Sequence, residues 1–199
     1  MKRAFVLIAN KASTAPFKLN DLAGAAGRMD IVCRCIAQSL LLSHSIRKNV
    51  VFYSILLGNP DPPKAIKVVG DEVKYLGPDE RNIAGLIKKA LSLKVSENWV
   101  RSTPGFYIAR RSLSEILNEL KDENFEIIYL KEDGVDIRNV VKKFKSPAFI
   151  LGDHLGVPRD LEKIILEFAD YIVSLLPISL QADQCILIAN YEIDRIRIM

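Results

Sequence analysis

Ala148-Phe149-Ile150-Leu151-Gly152-Asp153-His154-Leu155-Gly156 joins an apolar run to a turn with glycine at both ends. That is how a buried strand closes on a loop. Pro158 to Ala169 then reads as a helix. Tyr171 to Leu175 reads as a second strand, running into Leu176-Pro177-Ile178-Ser179-Leu180. Upstream, Glu126-Ile127-Ile128-Tyr129-Leu130 is a third strand ending near Lys131 to Gly134, and Asp136 to Phe144 is a helix. The last helix covers Ala182 to Arg195. Strand and helix alternate here, which predicts an α/β fold with a largely parallel sheet and helices on both faces.

The amino-terminal half continues the pattern. Residues 4–9 (Ala-Phe-Val-Leu-Ile-Ala) and 50–57 (Val-Val-Phe-Tyr-Ser-Ile-Leu-Leu) are buried strands, the second ended by Gly58-Asn59-Pro60. Between them Gly24 to Ile46 predicts a long helix. Met29, Val32, Ile36 and Leu40 mark one stripe, and Ile31, Cys35 and Leu42 widen it toward a second subunit. Ile66 to Leu76 predicts a hairpin around Gly70-Asp71. Asp79 to Leu93 is a helix capped near Gly77-Pro78-Asp79, and 95–111 is irregular. Ser112 with Glu115 forms a capping-box pattern before a helix to about Lys121. No repeat or linker interrupts residues 1–199, which are expected to form one domain.

Composition limits the alternatives. The chain has 199 residues, 49% hydrophobic and 26% charged, and 28 basic less 24 acidic residues give a net charge of +4. This suits a folded protein with a core of its own. The longest uncharged runs, Cys35–Ile46, Asn49–Pro60 and Tyr171–Ala182, are twelve residues each. That is short of the roughly 18 a membrane span needs. Lys2-Arg3 before a short apolar run reads as the start of a strand, not as a signal peptide. Three cysteines, Cys33, Cys35 and Cys185, give no disulfide framework and fit a reducing cytoplasm. Cys33-x-Cys35 lacks the usual zinc spacer and has no second pair, so no metal site is expected.

Several motifs are missing. The first strand leads into Asn10-Lys11-Ala12-Ser13-Thr14 with no G-x-G-x-x-G, and neither a phosphate-binding G-x-x-x-x-G-K-[ST] nor a G-x-S-x-G elbow occurs. In open α/β sheets ligands lie outside the carboxyl ends of the strands. That rule points to three late ends: Leu130, Gly152 and Leu175 to Leu180.

The stretch 150–156 together with Leu175-Leu176-Pro177-Ile178-Ser179-Leu180-Gln181-Ala182-Asp183-Gln184-Cys185 resembles the SPOUT methyltransferases. Gly27-Arg28-Met29-Asp30 and Gly77-Pro78-Asp79-Glu80-Arg81 narrow the resemblance to the archaeal tRNA pseudouridine-54 N1-methyltransferase family. It implies a SPOUT-type fold with a C-terminal trefoil knot, a homodimer, S-adenosyl-L-methionine as cofactor and tRNA as substrate. Carried over by position, it places the cofactor on Leu130, Gly152, Leu175, Leu176, Pro177, Ile178, Ser179, Leu180 and Cys185. Gly152 is expected to leave space for backbone beside the ligand.

Methyl transfer from a sulfonium to N1 of pseudouridine releases a proton, so a carboxylate or water is expected as base. Asp30 is the first candidate and Asp153 the second; Arg28 is grouped with them as catalytic, and in the alternative it orients the RNA and no base sits at Asp30. The ordinary alternatives are a first-turn carboxylate paired with Arg28, and a turn residue. His154 is a ligand contact or a solvated loop residue. Trp99, Arg101, Phe106, Tyr107, Arg110 and Arg111 interleave bases and rings, which suits phosphate contact and base stacking. Arg138, Lys142, Lys143 and Lys145 are a second basic patch. Either patch could be a solvated face. The competing functions are N1-methylation of pseudouridine in ribosomal RNA and a noncatalytic RNA-binding or ribosome-assembly role on the same fold.

Overall fold

A computed structural model describes residues 1–175 and 178–196. Its strands, in chain order, are β1 (Arg3–Ala9), β2 (Val50–Leu56), β3 (Lys64–Val69), β4 (Val100–Thr103), β5 (Phe106–Ala109), β6 (Glu126–Asp136), β7 (Pro147–Gly152) and β8 (Tyr171–Ser174). They form one eight-stranded sheet in the order β4-β5-β3-β2-β1-β7-β6-β8. The strands β2, β1, β7, β6 and β8 are parallel. An antiparallel wing of β3, β5 and β4 extends one edge.

The helices are α1 (Met29–Leu40), α2 (Glu80–Leu91), α3 (Leu113–Asp122), α4 (Ile137–Val140), α5 (Arg159–Phe168) and α6 (Ala182–Arg195). Successive side chains of a strand face opposite ways, and β1 divides accordingly. Phe5, Leu7 and Ala9 pack with α1, α2 and α6. Ala4, Val6 and Ile8 pack with α3 and α5 on the other face. Both faces are covered, which is why β1 is buried along its whole length.

Several local expectations change. The first helix is shorter than 24–46: Gly27 and Arg28 both take left-handed backbone before Met29, and Leu41 turns extended. A Cβ on Gly27 would lie 1.8 Å from the Lys11 carbonyl oxygen, so the chain must turn there with glycine. Of the second apolar stripe, expected to meet another subunit, Ile31 and Cys35 are covered within the chain, where α1 packs on α2 and α6, while Leu42 lies beyond the helix and is exposed. No hairpin forms around Gly70; β3 pairs with β2 and β5 instead. The segment 95–111 contains the hairpin β4–β5, turned at Gly105 with φ 76°. The helix expected at 136–144 is only α4 followed by a 3-10 turn at Val141–Lys143. The capping box at Ser112 and Glu115 is present.

One polar cluster docks α6. Asn190 is fully buried. Its Oδ1 accepts from Arg3 Nη1 at 2.9 Å, while its Nδ2 donates to the Gln38 and Ser39 carbonyls at 3.0 and 3.3 Å. Those carbonyls end α1 and have no partner within it. Arg3, 1% exposed, completes the cluster through Asp194 at 2.7 Å. Replacing Asn190 with Ala strands two carbonyls and removes one of the acceptors of the buried Arg3 guanidinium. Asn190→Ala is therefore expected to lower unfolding free energy by about 2 kcal/mol, read from the urea midpoint at unchanged slope.

Candidate functional site

At the carboxyl end of β7, Asp153 fastens the turn to β1. Its backbone N–H donates to Ile8 O at 3.0 Å. Its Oδ2 accepts from the Asn10 N–H at 2.8 Å, and its Oδ1 accepts from Asn10 Nδ2 at 2.7 Å and Leu155 N–H at 2.9 Å. Asn10 Nδ2 also donates to Gly156 O at 2.8 Å. Gly152 folds so tightly against this turn that a Cβ would lie 2.3 Å from the Gly156 carbonyl carbon. The Cβ position at Gly152 is thus filled by its own turn, which by itself requires glycine, while the residue also lines the cavity described next.

Beside this turn lies a cavity of about 690 Å³, within the range of small-molecule sites. Three strand ends line it. The first is Leu130 with Lys131 and Glu132, where β6 changes register against β8 between Leu130 and Val135 and bulges out of the sheet. The second is the Gly152–Gly156 turn. The third is Val173 to Leu175 with Ile178 to Cys185, leading into α6. Leu130, Gly152, Leu175, Ile178, Ser179, Leu180 and Cys185 all come together here. Leu176 and Pro177 lie outside the described residues. Burial, reinforced by Asp183, raises the Cys185 thiol to about 11, so it meets the cavity as a neutral group. His154 is on the rim, its Nδ1 3.6 Å from Asp153 Oδ1. Sequence reasoning missed Arg34, Tyr129, Asp183 and Gln184 as wall residues. The spacing of Arg34 four residues after Asp30 was the signal available for the first of them.

Arg28 and Arg34 reach the cavity, and Asp30 ties them together. Asp30 Oδ1 accepts from Arg28 Nε at 3.0 Å; its Oδ2 accepts from Arg28 Nη2 at 3.0 Å and Arg34 Nη1 at 2.9 Å. Burial alone would raise the Asp30 carboxyl, but the two guanidinium contacts outweigh it and hold the group below its ordinary value. Asp30 itself is 7% exposed and is not part of the cavity wall.

The basic and aromatic segment lies on the antiparallel wing, β5 four and β4 five strand positions from β7. At about 4.8 Å per step this is roughly 19–24 Å from the turn. Much of it is turned inward. Arg110 pairs with Asp61, Tyr107 donates to Glu72, and Arg111 and Trp99 both donate to Glu119 at 3.0 and 2.8 Å. Arg101 is the exposed arginine of the three. Acidic partners absent from the segment arrive from elsewhere in the chain. In the second patch Arg138 pairs with Glu192, while Lys142, Lys143 and Lys145 are exposed. Among the described residues no group of three or more His, Cys, Asp and Glu is placed to hold a metal, and no helix is long and apolar enough to cross a membrane.

Comparison with known proteins places this geometry. Residues 2–198 match a family model described as "Putative SAM-dependent RNA methyltransferase". A Methanococcoides burtonii protein named tRNA (pseudouridine(54)-N(1))-methyltransferase is 50% identical over 194 residues, covering 97% of this chain and 96% of the relative. A Methanocaldococcus jannaschii protein of the same name is 41% identical over 203 residues, covering 98% of each. In fold the chain resembles Archaeoglobus fulgidus Nep1 bound to S-adenosylhomocysteine, with TM-score 0.68 at 18% identity and 100% of both chains covered.

Glu119 yields a pH test. It accepts from Lys67 at 2.7 Å and Tyr53 at 3.0 Å as well as from Trp99 and Arg111. Burial pushes its carboxyl up, but these donors prevail and hold it below the ordinary 4.5. A carboxyl lowered by folding stabilises the fold above its unfolded value, and that contribution is lost as pH falls through the folded value. Glu119→Gln is expected to cost about 1–2 kcal/mol at pH 7 and less at lower pH. Urea unfolding of both proteins from pH 7 to 3 measures this; a difference that stays constant with pH would count against it.

Proposed function

The chain belongs to the SAM-dependent RNA methyltransferase family, and from that membership we propose that it methylates N1 of pseudouridine at position 54 of tRNA in the cytoplasm. The observation that carries the reading is near-full-length identity of 41–50% to relatives bearing that activity in their names. The cavity supports it. Leu130, Leu151, Val173, Leu175 and Leu180 offer apolar surface for a purine and an aliphatic chain, with turn and loop backbone alongside. Bound S-adenosyl-L-methionine supplies a methyl carbon already activated for in-line displacement.

The residues of this chain then have to seat the donor, admit the base and exclude competing water. In our reading the Asp153 clamp fixes the turn beneath the donor, and Asp153 is not the base, since its oxygens already accept three N–H groups. Asp30 positions Arg28 at the cavity mouth, where the guanidinium meets the RNA. Both Asp30 oxygens are engaged and its carboxyl is held low, which suits an anchor better than a base. The N1 proton passes to water. Arg101, exposed on β4, extends the RNA contact away from the cavity, with Arg110 and Arg111 joining it only by leaving Asp61 and Glu119.

The C-terminal chain is read as a trefoil knot. The position of β6 between β7 and β8, which both follow it in sequence, supports this, and an experimental chain trace with α6 unthreaded would remove it.

Labelled methyl transfer tests the activity. Transcripts carrying pseudouridine at position 54 are expected to accept label, whereas uridine-54 transcripts and pseudouridylated ribosomal RNA fragments are not. Label on the ribosomal fragments alone would overturn the tRNA assignment. Arg28→Ala and Asp30→Asn are each expected to raise KM for tRNA about tenfold. The double variant should be no worse than Arg28→Ala, because residues acting as one unit are not additive. A loss of kcat of about 10²–10⁴-fold confined to Asp30→Asn would restore Asp30 as the base.

Two copies are expected to pair. With α1 covered inside the chain, support comes from exposed Leu187 and Tyr191, one turn apart on α6, and from exposed Leu155 and Ile178 beside the cavity. Sedimentation equilibrium at micromolar concentration should return twice the chain mass; a monomer there would remove the dimer.

A further inference from the structure

At the edge of the cavity where Arg28, Arg34 and Asp183 form the wall, carboxylates outnumber the cations they pair with. Arg34 serves three carboxylates from three helices: Asp30 on α1 at 2.9 Å, Glu80 on α2 at 3.6 Å and Asp183 on α6 at 3.8 Å. Arg28 adds a second guanidinium, but it is bound to Asp30 as well. Three carboxylates therefore share two cations, and Asp30 takes the hydrogen bonds of both.

Asp183 is the group left short. Its Oδ1 is sealed from solvent yet accepts no hydrogen bond among the described residues, and its nearest cation, Arg34 Nε, is too distant to donate one. The side chain is 13% exposed and lines the cavity together with Gln184 and Cys185. A carboxylate this far out of water is costly unless a cation neutralises it. Glu80, by contrast, is 43% exposed and is solvated.

We infer that Asp183 makes the cavity selective for a positively charged methyl donor over the neutral-sulfur product. This rests on the methyltransferase reading above. Before transfer the donor's sulfur carries a positive charge. Afterwards its bonding pair to the methyl group remains on sulfur as a lone pair, the methyl has moved to nitrogen, and the sulfur is neutral. The under-partnered carboxylate of Asp183 attracts the first state and has no charge to meet in the second, so the spent donor is held less tightly than its charge-bearing precursor. Asp183 is outside the set of residues assigned to the cofactor by strand-end position.

The test is calorimetric and needs no turnover. Wild-type protein and Asp183→Asn are titrated with S-adenosylmethionine, S-adenosylhomocysteine and sinefungin, which carries an amine in place of the methylsulfonium. In the variant, affinity for S-adenosylmethionine and sinefungin should fall about five- to tenfold, and that for S-adenosylhomocysteine should change less than twofold. Asp183→Glu, which restores the charge, should recover most of the preference and guards against a variant that merely folds poorly. Equal weakening of all three ligands, or none, overturns the charge selection while leaving the methyltransferase reading intact. No binding of S-adenosylmethionine to wild-type protein would instead overturn that reading, and this inference with it.

Discussion

The carboxylate of Asp153 is where the two halves of the functional end are fastened together. Parallel strands that end in loops hold only one side of a ligand site; the loops themselves are otherwise loose. Here one side chain accepts from the backbone and side chain of Asn10 and from Leu155, while its own N–H continues the β1 ladder to Ile8. The turn after β7 is thereby registered to the end of β1. Gly152 allows this, because any side chain would collide with Gly156 and Val157 backbone. The bulge of β6 on one side and the entry to α6 on the other then face a fixed floor.

The same end of the molecule depends on how α6 and α1 are held. Asn190 satisfies the last carbonyls of α1 and the guanidinium of Arg3, so β1, α1 and α6 share one buried polar junction. Arg34 repeats the arrangement at the opposite ends of these helices, bridging α1, α2 and the first turn of α6. Two junctions on one helix pair leave α6 little freedom to rotate, and they set Asp183 and Cys185 toward the cavity.

The parallel sheet was legible because its strands are buried on both faces and read as continuous apolar runs. The strand-end rule likewise pointed to Leu130, Gly152 and Leu175 to Leu180 without any contact information, and those of them that are described line the cavity. What escaped was everything decided by distant partners. The segment 95–111 looked irregular because β4 and β5 are four residues each and acquire their pairing from β3. Its arginines looked available because Asp61, Glu72 and Glu119 are far away in sequence. The length of α1 was overestimated because the left-handed turn at Gly27 and Arg28 is imposed by the Lys11 carbonyl, not by local propensity. Gly152 shows a related limit: glycine signals a close approach but does not say to what, and here its own turn fills the Cβ position while the residue also lines the cavity.

Asp30 shows how the same logic reshapes a chemical reading. A carboxylate at the front of a helix beside an arginine is compatible with a base, an anchor or a cap, and sequence spacing cannot separate them. The structure adds Arg34 one turn on, and with it a second guanidinium on the same carboxylate. Each added cation lowers the proton affinity that a base requires and strengthens the hold that an anchor requires. The two roles thus move in opposite directions as partners accumulate. In this chain the partners have accumulated on Asp30 and not on Asp183: three guanidinium hydrogen bonds end on the first and none on Oδ1 of the second.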